Sequence, residues 1–315
     1  MCEQHFAETT VRNSDGAFVV KMPLKGDPSS LGHSYVNARN RFLSLERRFK
    51  RDPSFHSKYC DFLREYERLG HMTLDSDCSP SPENSMTKYF IPHHGVIRDS
   101  STTTQLRVIF DASAPTSTGV SLNDIQMVGP VVQDDLFSIL IRFRQHRYVV
   151  SGDVEKMYRA IQLSPDQRSL QKIIFRFDPS EPLRSYTLNT VTYGTASAPY
   201  LATKCLVSLA DNIEDSRVES AIRRDFYIDD YLSGGSTITE TVEIAKKVKS
   251  VLSSAKFNLR KWRSNNIEIL KQINTYIVTD NDSINTLQFS EHGLSPVQSK
   301  TLGLNWVCDS DSLTQ

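Results

Sequence analysis

Two adjacent aspartates, Asp229 and Asp230, interrupt a stretch of the chain that otherwise favours a β-strand. Residues 226–228 are aromatic or β-branched, types that are enriched in strands, and Ser233-Gly234-Gly235 favours the return of a hairpin. Two neighbouring carboxylates at a tight turn repel each other and lose hydration, a cost that a divalent cation would offset. At an exposed turn, water would solvate both charges. The pair alone therefore leaves a metal site and a solvated surface turn open.

A third acid favours the metal site. Asp153 follows the mainly apolar run at residues 148–152, which is typical of a strand. Three carboxylates from neighbouring strand ends suit a two-metal phosphoryl-transfer site, because two Mg²⁺ ions about 3.5 to 4 Å apart clamp the attacking and leaving oxygens of an in-line displacement. Hard cations also prefer oxygen ligands. The sequence therefore predicts a site for two Mg²⁺ ions, or Mn²⁺ in their place, at Asp153, Asp229 and Asp230.

The same residues resemble a known family. Tyr227-Ile228-Asp229-Asp230 resembles the YxDD box of reverse transcriptases, and Asp153-Val154-Glu155-Lys156-Met157-Tyr158 resembles the palm motif that carries their first catalytic aspartate. Other segments resemble the BEL/Pao branch of LTR retrotransposon polyproteins: Leu106-Arg107-Val108-Ile109-Phe110-Asp111-Ala112-Ser113, Ser121-Leu122-Asn123-Asp124-Ile125, Val128-Gly129-Pro130 and Gln133-Asp134-Asp135-Leu136-Phe137. The resemblance extends from about Gly16 to Trp306, and several motifs occur in the same order.

The resemblance implies a reverse transcriptase, an RNA-directed DNA polymerase that joins nucleotides to a primer 3′-hydroxyl by two-metal nucleotidyl transfer. Asp153, Asp229 and Asp230 would be the catalytic residues and, with the backbone carbonyl of Val154, the metal ligands. The implied partners are an RNA or DNA template with its primer and deoxynucleoside triphosphates. A homodimer, or neighbouring protease, ribonuclease H and integrase regions of a polyprotein, would be further partners.

Two arginines are candidates for binding the triphosphate. Arg98 and Arg107 flank a polar tip at residues 99–104, so a hairpin would bring both guanidinium groups to one end. Arginine binds phosphate oxygens with two parallel hydrogen bonds and keeps its charge. The resemblance matches the two residues to a basic pair that contacts the incoming triphosphate. Two surface arginines on a strand pair are the alternative.

Four further candidates come from the resemblance. Tyr158 matches a steric gate whose ring fills the space of a ribose 2′-hydroxyl, although an ordinary packed tyrosine is the alternative. Tyr193 and Gly194 lie in a segment that resembles the motif supporting the nascent base pair, where glycine lets the backbone approach the nucleotide. Retroviral enzymes have glutamine at the position of Tyr193. Lys261 matches a lysine near the leaving pyrophosphate, and an exposed edge-strand lysine is the alternative.

Leu304 and Trp306 complete the candidate set. The segment Leu302-Gly303-Leu304-Asn305-Trp306 resembles the hairpin that holds the primer 3′ end, and a plain buried strand explains it equally well. The capping pattern and apolar spacing predict helices over residues 34–49, 53–69, 133–143 and 239–255. Ser197 and Pro199 can open a further helix that carries Leu201, Cys205, Leu206 and Leu209. Strands are predicted at residues 17–22, 89–91, 95–98, 105–110, 172–177 and 257–262, and a linker at residues 73–86.

These elements predict an α+β fold, a partial right hand of fingers and palm. The palm would be an antiparallel sheet of split βαβ type with helices on one face. We expect a partly helical lead-in at residues 1–87, fingers at 88–132 and 161–196, palm at 133–160 and 197–306, and a truncated tail at 307–315. The YIDD hairpin and the primer-holding hairpin would belong to the second palm segment.

Composition gives weaker constraints. Lysine plus arginine and aspartate plus glutamate balance at 37 each, whereas nucleic-acid binders usually carry an excess of basic charge. Basic residues do cluster locally, although a solvated helix face explains each cluster as well. The clusters are Arg47, Arg48, Lys50 and Arg51; Arg142, Arg144 and Arg147; and Arg260, Lys261 and Arg263. No apolar stretch is long enough for a membrane span and no signal peptide is evident, so we expect a cytoplasmic protein, which virus-like particles could enclose.

Two other functions compete with the polymerase. The chain could be a catalytically silent nucleic-acid-binding or particle-assembly remnant of the same element, because it ends at Gln315, soon after the primer-holding motif. Intact acids argue against simple decay. An aspartic protease is excluded because the sequence contains no Asp-Thr-Gly or Asp-Ser-Gly.

Overall fold

The computed structural model describes residues 1–75, 87–97, 105–274, 299–301, 304–307 and 312–314. The chain divides into two compact units. The first unit comprises Met1–Pro130 and Tyr158–Ala202, and the second comprises Val131–Met157 and Thr203–Gln315. Each unit is therefore built from two separate segments of the chain.

The described residues form helices, strands and short 3-10 turns in the following order. The helices are α1 (Cys2–Thr9), α2 (Tyr35–Arg51), α3 (Pro53–Arg68), α4 (Leu136–Gln145), α5 (Ala198–Ser208), α6 (Ser216–Arg224), α7 (Ile238–Ser253) and α8 (Ile267–Asn274). The strands are β1 (Val11–Arg12), β2 (Phe18–Val20), β3 (Met72–Leu74), β4 (His93–Ile97), β5 (Leu106–Phe110), β6 (Tyr148–Glu155), β7 (Gln162–Leu163), β8 (Lys172–Phe175), β9 (Arg184–Leu188), β10 (Phe226–Tyr227), β11 (Asp230–Gly235), β12 (Asn258–Ser264), β13 (Ser299–Thr301), β14 (Leu304–Val307) and β15 (Ser312–Thr314). The 3-10 turns are Pro28–Ser30, Met157–Ala160 and Pro165–Leu170.

Helices α2 and α3 contribute to the core of the first unit. Asp52 caps α3, because its side chain accepts the backbone N–H of Phe55 at 2.9 Å, and Pro53 occupies the first helical turn. Most aromatic side chains of the two helices are buried, and the ring of Phe42 on α2 packs edge-on against Phe175 of β8. Burying one such ring contributes about 1.5–3 kcal/mol. The two predicted helices are confirmed as part of this core.

The small sheets of the first unit differ from the prediction in two places. Strands β3 and β9 pair with each other, and β9 also pairs with β8, although neither β3 nor β9 was predicted. The predicted strand at residues 89–91 is wrong, since only Phe90 forms a bridge, to Lys172. The Tyr89 hydroxyl there donates to the Ala114 carbonyl at 2.5 Å. Of the predicted linker, residues 76–86 lie outside the described residues, while residues 72–74 form β3.

The second unit is organised by a four-stranded sheet with the order β10-β11-β6-β12, in which every neighbouring pair is antiparallel. Along the chain, β6 is followed by α5 and α6, the hairpin β10-β11, α7 and finally β12, which is a split βαβ arrangement. Helix α7 packs against β6, β11 and β12, and α4 packs against β10 and β11. The predicted α+β class with an antiparallel sheet is confirmed.

The central hairpin of this sheet reverses earlier than predicted. Its turn lies at Ile228 and Asp229, between β10 and β11, and the two glycines lie inside β11. A Cβ atom on Gly234 would lie 2.3 Å from the carbonyl oxygen of Tyr148 on β6. Gly234 therefore permits a close approach between strands and does not form the turn.

Helix α4 begins later than predicted. The prediction placed Asp134 and Asp135 in its first turn, but Asp135 is the N-cap, and its carboxylate accepts the N–H of Ser138 at 3.0 Å. Gln133 and Asp134 consequently precede the helix. Helices α1, α6 and α8 were not predicted. None of the helices among the described residues combines the length and apolar character that a membrane crossing requires.

A buried histidine marks the core of the first unit. His93, at the start of β4, is 5% exposed. Its Nδ1 atom lies 2.5 Å from the Tyr59 hydroxyl and its Nε2 atom 3.0 Å from the Ile174 carbonyl. A neutral ring satisfies both contacts when Nε2 donates and Nδ1 accepts. Burial lowers the pKa of His93 to about 4, because the apolar core penalises the imidazolium.

This lowered pKa predicts a specific loss of stability in acid. The unfolded chain binds a proton at the ordinary histidine pKa of 6.5, whereas the folded chain binds it only near pH 4. The free energy of unfolding is therefore unaffected by His93 above pH 6.5 and falls by about 3 kcal/mol as the pH drops from 6.5 to 4. His93→Gln removes this part of the pH dependence. Urea unfolding followed by circular dichroism across this range measures it.

The neighbouring His94 is exposed and provides the matched control. His94→Gln should keep the wild-type pH dependence. A wild-type slope in His93→Gln would contradict the assignment of the acid loss to His93.

Candidate active site

Two of the predicted acids face each other across the sheet of the second unit. Asp153 on β6 is the direct partner of Asp230 on β11, and Arg260 of β12 is its partner on the other side. Side chains directly opposite in an antiparallel pair have Cβ atoms about 4.5–5.5 Å apart, and like charges in such a pair are destabilising. The register of the sheet thus holds two carboxylates together at the end of β6.

The third acid lies in the adjoining turn. Ile228 and Asp229 form a two-residue connection, and Ile228 has a φ of 55°. A positive φ at the first central position is typical of a type II′ turn, where glycine is usual, so a β-branched residue there costs about 1–3 kcal/mol. The carbonyl of Asp229 accepts the N–H of Val154 at 2.8 Å, which ties the turn to β6.

A glutamine outside the hairpin contacts this turn. The Ile228 N–H donates to Oε1 of Gln133 at 2.7 Å, and Nε2 of Gln133 lies 3.4 Å from the Ile228 carbonyl oxygen. The sequence offered no signal for this role. Gln133 belongs to a motif of the family resemblance, but its contact with Ile228 joins residues that are distant along the chain.

Burial and the neighbouring acids together change the protonation of Asp230. Burial raises the pKa of Asp230 to about 7, and repulsion by Asp229 and Asp153 adds to the increase, against the opposing effects of Arg263 and Lys261. At neutral pH a substantial fraction of Asp230 is therefore protonated. A cation at this edge of the sheet would favour the ionised form.

Lys261 forms an ion pair with one of the acids. The pairing of β12 with β6 is irregular between Arg260 and Arg263, and Lys261 within this bulge has a φ of 54°. Its Nζ atom lies 3.3 Å from an oxygen of Asp153. Lys261 is thus an edge-strand lysine, as one alternative proposed, but a bulge directs its amine to an acid of the site.

The residues at this edge suit a hard divalent cation by chemistry. They offer carboxylate oxygens and the backbone of Val154, and burial together with the neighbouring carboxylates raises the pKa of Asp230. Within the described ranges, however, no three histidine, cysteine, aspartate or glutamate side chains are arranged to hold a metal ion. The amine of Lys261 supplies the positive charge beside Asp153 in this arrangement.

The remaining nucleotide-binding candidates that the structure describes lie in the first unit, while Arg98 lies outside the described residues. The rings of Tyr158 and Tyr193 meet edge to face with centroids 6.3 Å apart. Burial raises the pKa of the Tyr193 hydroxyl, and the charges of Arg159 and Arg107 act against this increase. Arg107, on β5, is exposed. Tyr158, Tyr193 and Arg107 therefore belong to one region of the first unit.

Two residues that the sequence did not single out, Asn123 and Gln126, hold the loop that contains Gly194. Gly194 has a φ of 97°, and a Cβ atom there would lie 2.2 Å from the Phe110 carbonyl oxygen. Asn123 donates to the Gly194 carbonyl at 3.1 Å and accepts the N–H of Ala196 at 2.8 Å. Buried Gln126 accepts both the N–H and the hydroxyl of Ser197. Asn123 lies in one of the motifs that carry the family resemblance, whereas Gln126 lies outside them.

The two primer-holding candidates lie on β14 of the second unit. Leu304 pairs with Thr301 and Trp306 with Ser299, so β13 and β14 form an antiparallel pair. Strand β15 pairs with the other edge of β14. This small sheet is separate from the sheet that carries the acids.

The chain is similar to proteins of known family and structure. The family described as reverse transcriptase (RNA-dependent DNA polymerase) matches residues 101–287. The sequence matches none of the curated proteins with which it was compared.

Solved structures of the foamy virus protease-reverse transcriptase are also similar. A mutant from prototype foamy virus shows 17% identity and a TM-score of 0.49, covering 66% of this chain and 24% of that chain. The complex with double-stranded DNA shows 15% identity and a TM-score of 0.46, covering 62% and 28% respectively. The complex with an RNA/DNA hybrid shows 16% identity and a TM-score of 0.48, covering 65% of this chain and 23% of that chain. The chain thus spans about a quarter of the length of these structures.

The raised pKa of Asp230 predicts that neutralising this acid stabilises the metal-free fold. The folded chain keeps the proton of Asp230 up to about pH 7, whereas the unfolded chain loses it near pH 3.8. The free energy of unfolding therefore falls as the pH rises from about 4 to about 7. At pH 8 in EDTA, Asp230→Asn should therefore raise the free energy of unfolding by about 4 kcal/mol, and the gain should shrink towards pH 4. Urea unfolding at both pH values measures the difference.

Glu243 on α7 is exposed and serves as the matched control, because Glu243→Gln removes an acid of the same unit away from the site. This control should change the free energy of unfolding by less than about 0.5 kcal/mol. Destabilisation by Asp230→Asn at pH 8 would contradict the electrostatic account.

Proposed function

The chain belongs to the reverse transcriptase (RNA-dependent DNA polymerase) family, and we propose that it catalyses RNA-directed DNA synthesis by nucleotidyl transfer to a primer 3′-hydroxyl. The observation that carries the proposal is the cross-strand pair of Asp153 and Asp230 beside the turn that presents Asp229. The proposed substrates are deoxynucleoside triphosphates and an RNA or DNA template with its primer.

The acids of the second unit are the proposed catalytic centre. Asp153 and Asp229, with the backbone carbonyl of Val154, would hold two Mg²⁺ ions, or Mn²⁺, which when bound lower the pKa of the primer hydroxyl and neutralise the leaving pyrophosphate. Asp230 adds negative charge directly opposite Asp153. The sheet register keeps these groups in place, so little reorganisation is needed when the substrates arrive.

Lys261 has two proposed roles at this centre. Its amine holds Asp153 in position through the contact of 3.3 Å. Once released from Asp153, the ammonium group can stabilise the negative charge on the leaving pyrophosphate or donate a proton to it. The positive φ of Lys261 supports the assignment, because a strained backbone is commonly retained at functional positions.

The first unit supplies the proposed nucleotide-binding groups. Arg107, together with Arg98, would bind the triphosphate, and the backbone at Gly194 would approach the nascent base pair. The ring of Tyr158 would exclude a ribose 2′-hydroxyl, and its edge-to-face contact with Tyr193 supports a fixed ring position. Leu304 and Trp306 would hold the primer end.

The family resemblance supports finer assignments. We propose that the first unit contains the fingers and the lead-in segment, and that the second unit contains the palm. The order of the motifs supports an origin in a BEL/Pao element. A cytoplasmic location in virus-like particles, with protease, ribonuclease H and integrase as polyprotein neighbours or with a second copy as partner, accords with that origin.

A second candidate function is nucleic-acid binding without catalysis. The ion pair of Lys261 with Asp153 favours it, because this pair neutralises one acid without a metal ion. Extension of a primer on homopolymer templates with Mg²⁺ or Mn²⁺ separates the candidates. A silent binder would shift primer–template on a gel and incorporate no nucleotide.

The catalytic assignment predicts a large effect for Asp229→Asn. Loss of one charged ligand should lower the rate of primer extension by about a thousandfold or more, which corresponds to about 4 kcal/mol of transition-state stabilisation. Single-turnover extension measures the rate, and a gel shift should show primer–template affinity within about twofold of wild type. Glu243→Gln is again the control, with the wild-type rate expected. An Asp229→Asn rate within tenfold of wild type would count against the assignment.

The gate assignment predicts a difference between two variants at Tyr158. Tyr158→Ala removes the ring and should raise the incorporation of ribonucleotides relative to deoxynucleotides by at least about tenfold, on the scale of a lost steric exclusion. Tyr158→Phe keeps the ring and should retain the selectivity of the wild type. Competing single-nucleotide incorporations measure the ratio. If Tyr158→Phe lowered the selectivity as much as Tyr158→Ala, the selectivity would depend on the Tyr158 hydroxyl, and the steric-gate assignment would be wrong.

A further inference from the structure

The side chain of Gln133 contacts both backbone polar groups of one turn residue. Its Oε1 atom accepts the Ile228 N–H at 2.7 Å, and its Nε2 atom lies 3.4 Å from the Ile228 carbonyl oxygen. An amide side chain that contacts the N–H and C=O of the same residue acts like a short strand partner. The contact therefore supports the backbone of a residue that lies directly before Asp229.

The supported residue has an unfavourable conformation. Ile228 has a φ of 55°, which L-amino acids with branched side chains rarely adopt. A relaxed Ile228 would rotate the peptide group between Ile228 and Asp229. The carbonyl of Asp229 accepts a hydrogen bond from the N–H of Val154, so this rotation would also disturb the link to β6. Because Asp230 follows directly in β11, relaxation of this turn would change the positions of two acids at once.

The segment that carries Gln133 is itself well anchored in the second unit. Gln133 lies next to the N-terminus of α4, whose residues Ile139 and Phe143 are buried against Val149 of β6 and Leu232 of β11. Arg142 of α4 donates to the carbonyl of Arg224, just before the hairpin, and forms an ion pair with Asp134 at 2.9 Å. A support that leads directly into a packed helix can hold the turn against strain.

We propose that Gln133 is a positioning residue for the acids of the second unit. By holding Ile228 in its left-handed conformation, Gln133 sets Asp229 and Asp230 relative to Asp153. The catalytic half of this inference rests on the proposed polymerase function, whereas the support of the turn does not.

The inference predicts a selective loss of turnover in Gln133→Ala. The turnover number should fall about tenfold, while KM for the nucleotide and for primer–template stays within about twofold, because the substituted side chain contacts the turn and not a substrate. Gln145→Ala, at the exposed C-terminal end of α4, is the matched control and should keep the wild-type turnover. Equal turnover in Gln133→Ala and wild type would overturn the proposal.

Rescue by glycine distinguishes positioning from a general structural role. Glycine adopts a positive φ without strain, so the support becomes unnecessary in Ile228→Gly. The further change Gln133→Ala should then lower turnover by less than about threefold relative to Ile228→Gly alone. A full tenfold loss in the glycine background would overturn the proposal.

Hydrogen exchange tests the turn independently of activity. The Ile228 amide is bonded to Gln133, so its exchange measured by NMR should be at least tenfold faster in Gln133→Ala than in wild type or Gln145→Ala. Unchanged exchange would overturn the inference even if turnover fell. If the wild-type protein extends no primer, the polymerase proposal fails, and faster exchange in Gln133→Ala would still establish the support of the turn.

Discussion

The electrostatic properties of the second unit's sheet depend on the repulsion between the carboxylates of Asp153 and Asp230. The antiparallel register of β6 and β11 fixes Asp153 opposite Asp230, and neither can move away without breaking the pairing of the sheet. The fold accommodates the resulting charge by a raised pKa at Asp230 and by the amine of Lys261 beside Asp153. The stability of the sheet and the chemistry of its edge are therefore coupled, because the hydrogen bonds that build β11 also hold the acids together.

Local signals explain which features were predictable. The acids stand in short motifs, so their identity and their association with strands followed from neighbouring residues. The helices α2 and α3 were evident from apolar spacing and from Asp52 followed by proline. Strand β3 was missed because its partner β9 is far away in the chain, and a pairing of three residues leaves little periodicity.

Several site features depend on contacts that no local pattern records. The glycines after the acids suggested a turn, but Gly234 is needed because the Tyr148 carbonyl lies close to it. Gln133 and Asn123 act on loops about 70 or more residues away in sequence, so only the folded structure reveals their roles. The bulge that directs Lys261 likewise arises from irregular pairing between β12 and β6.

The ion pair of Lys261 with Asp153 has a consequence for how such a centre is loaded. The amine is attached to the same sheet, so its local concentration near Asp153 is independent of the surrounding solution. Any cation that binds Asp153 has to displace this intramolecular competitor. The cation concentration needed to occupy Asp153 would then depend on the strength of this ion pair. During folding, the same ion pair would reduce the repulsion between Asp153 and Asp230.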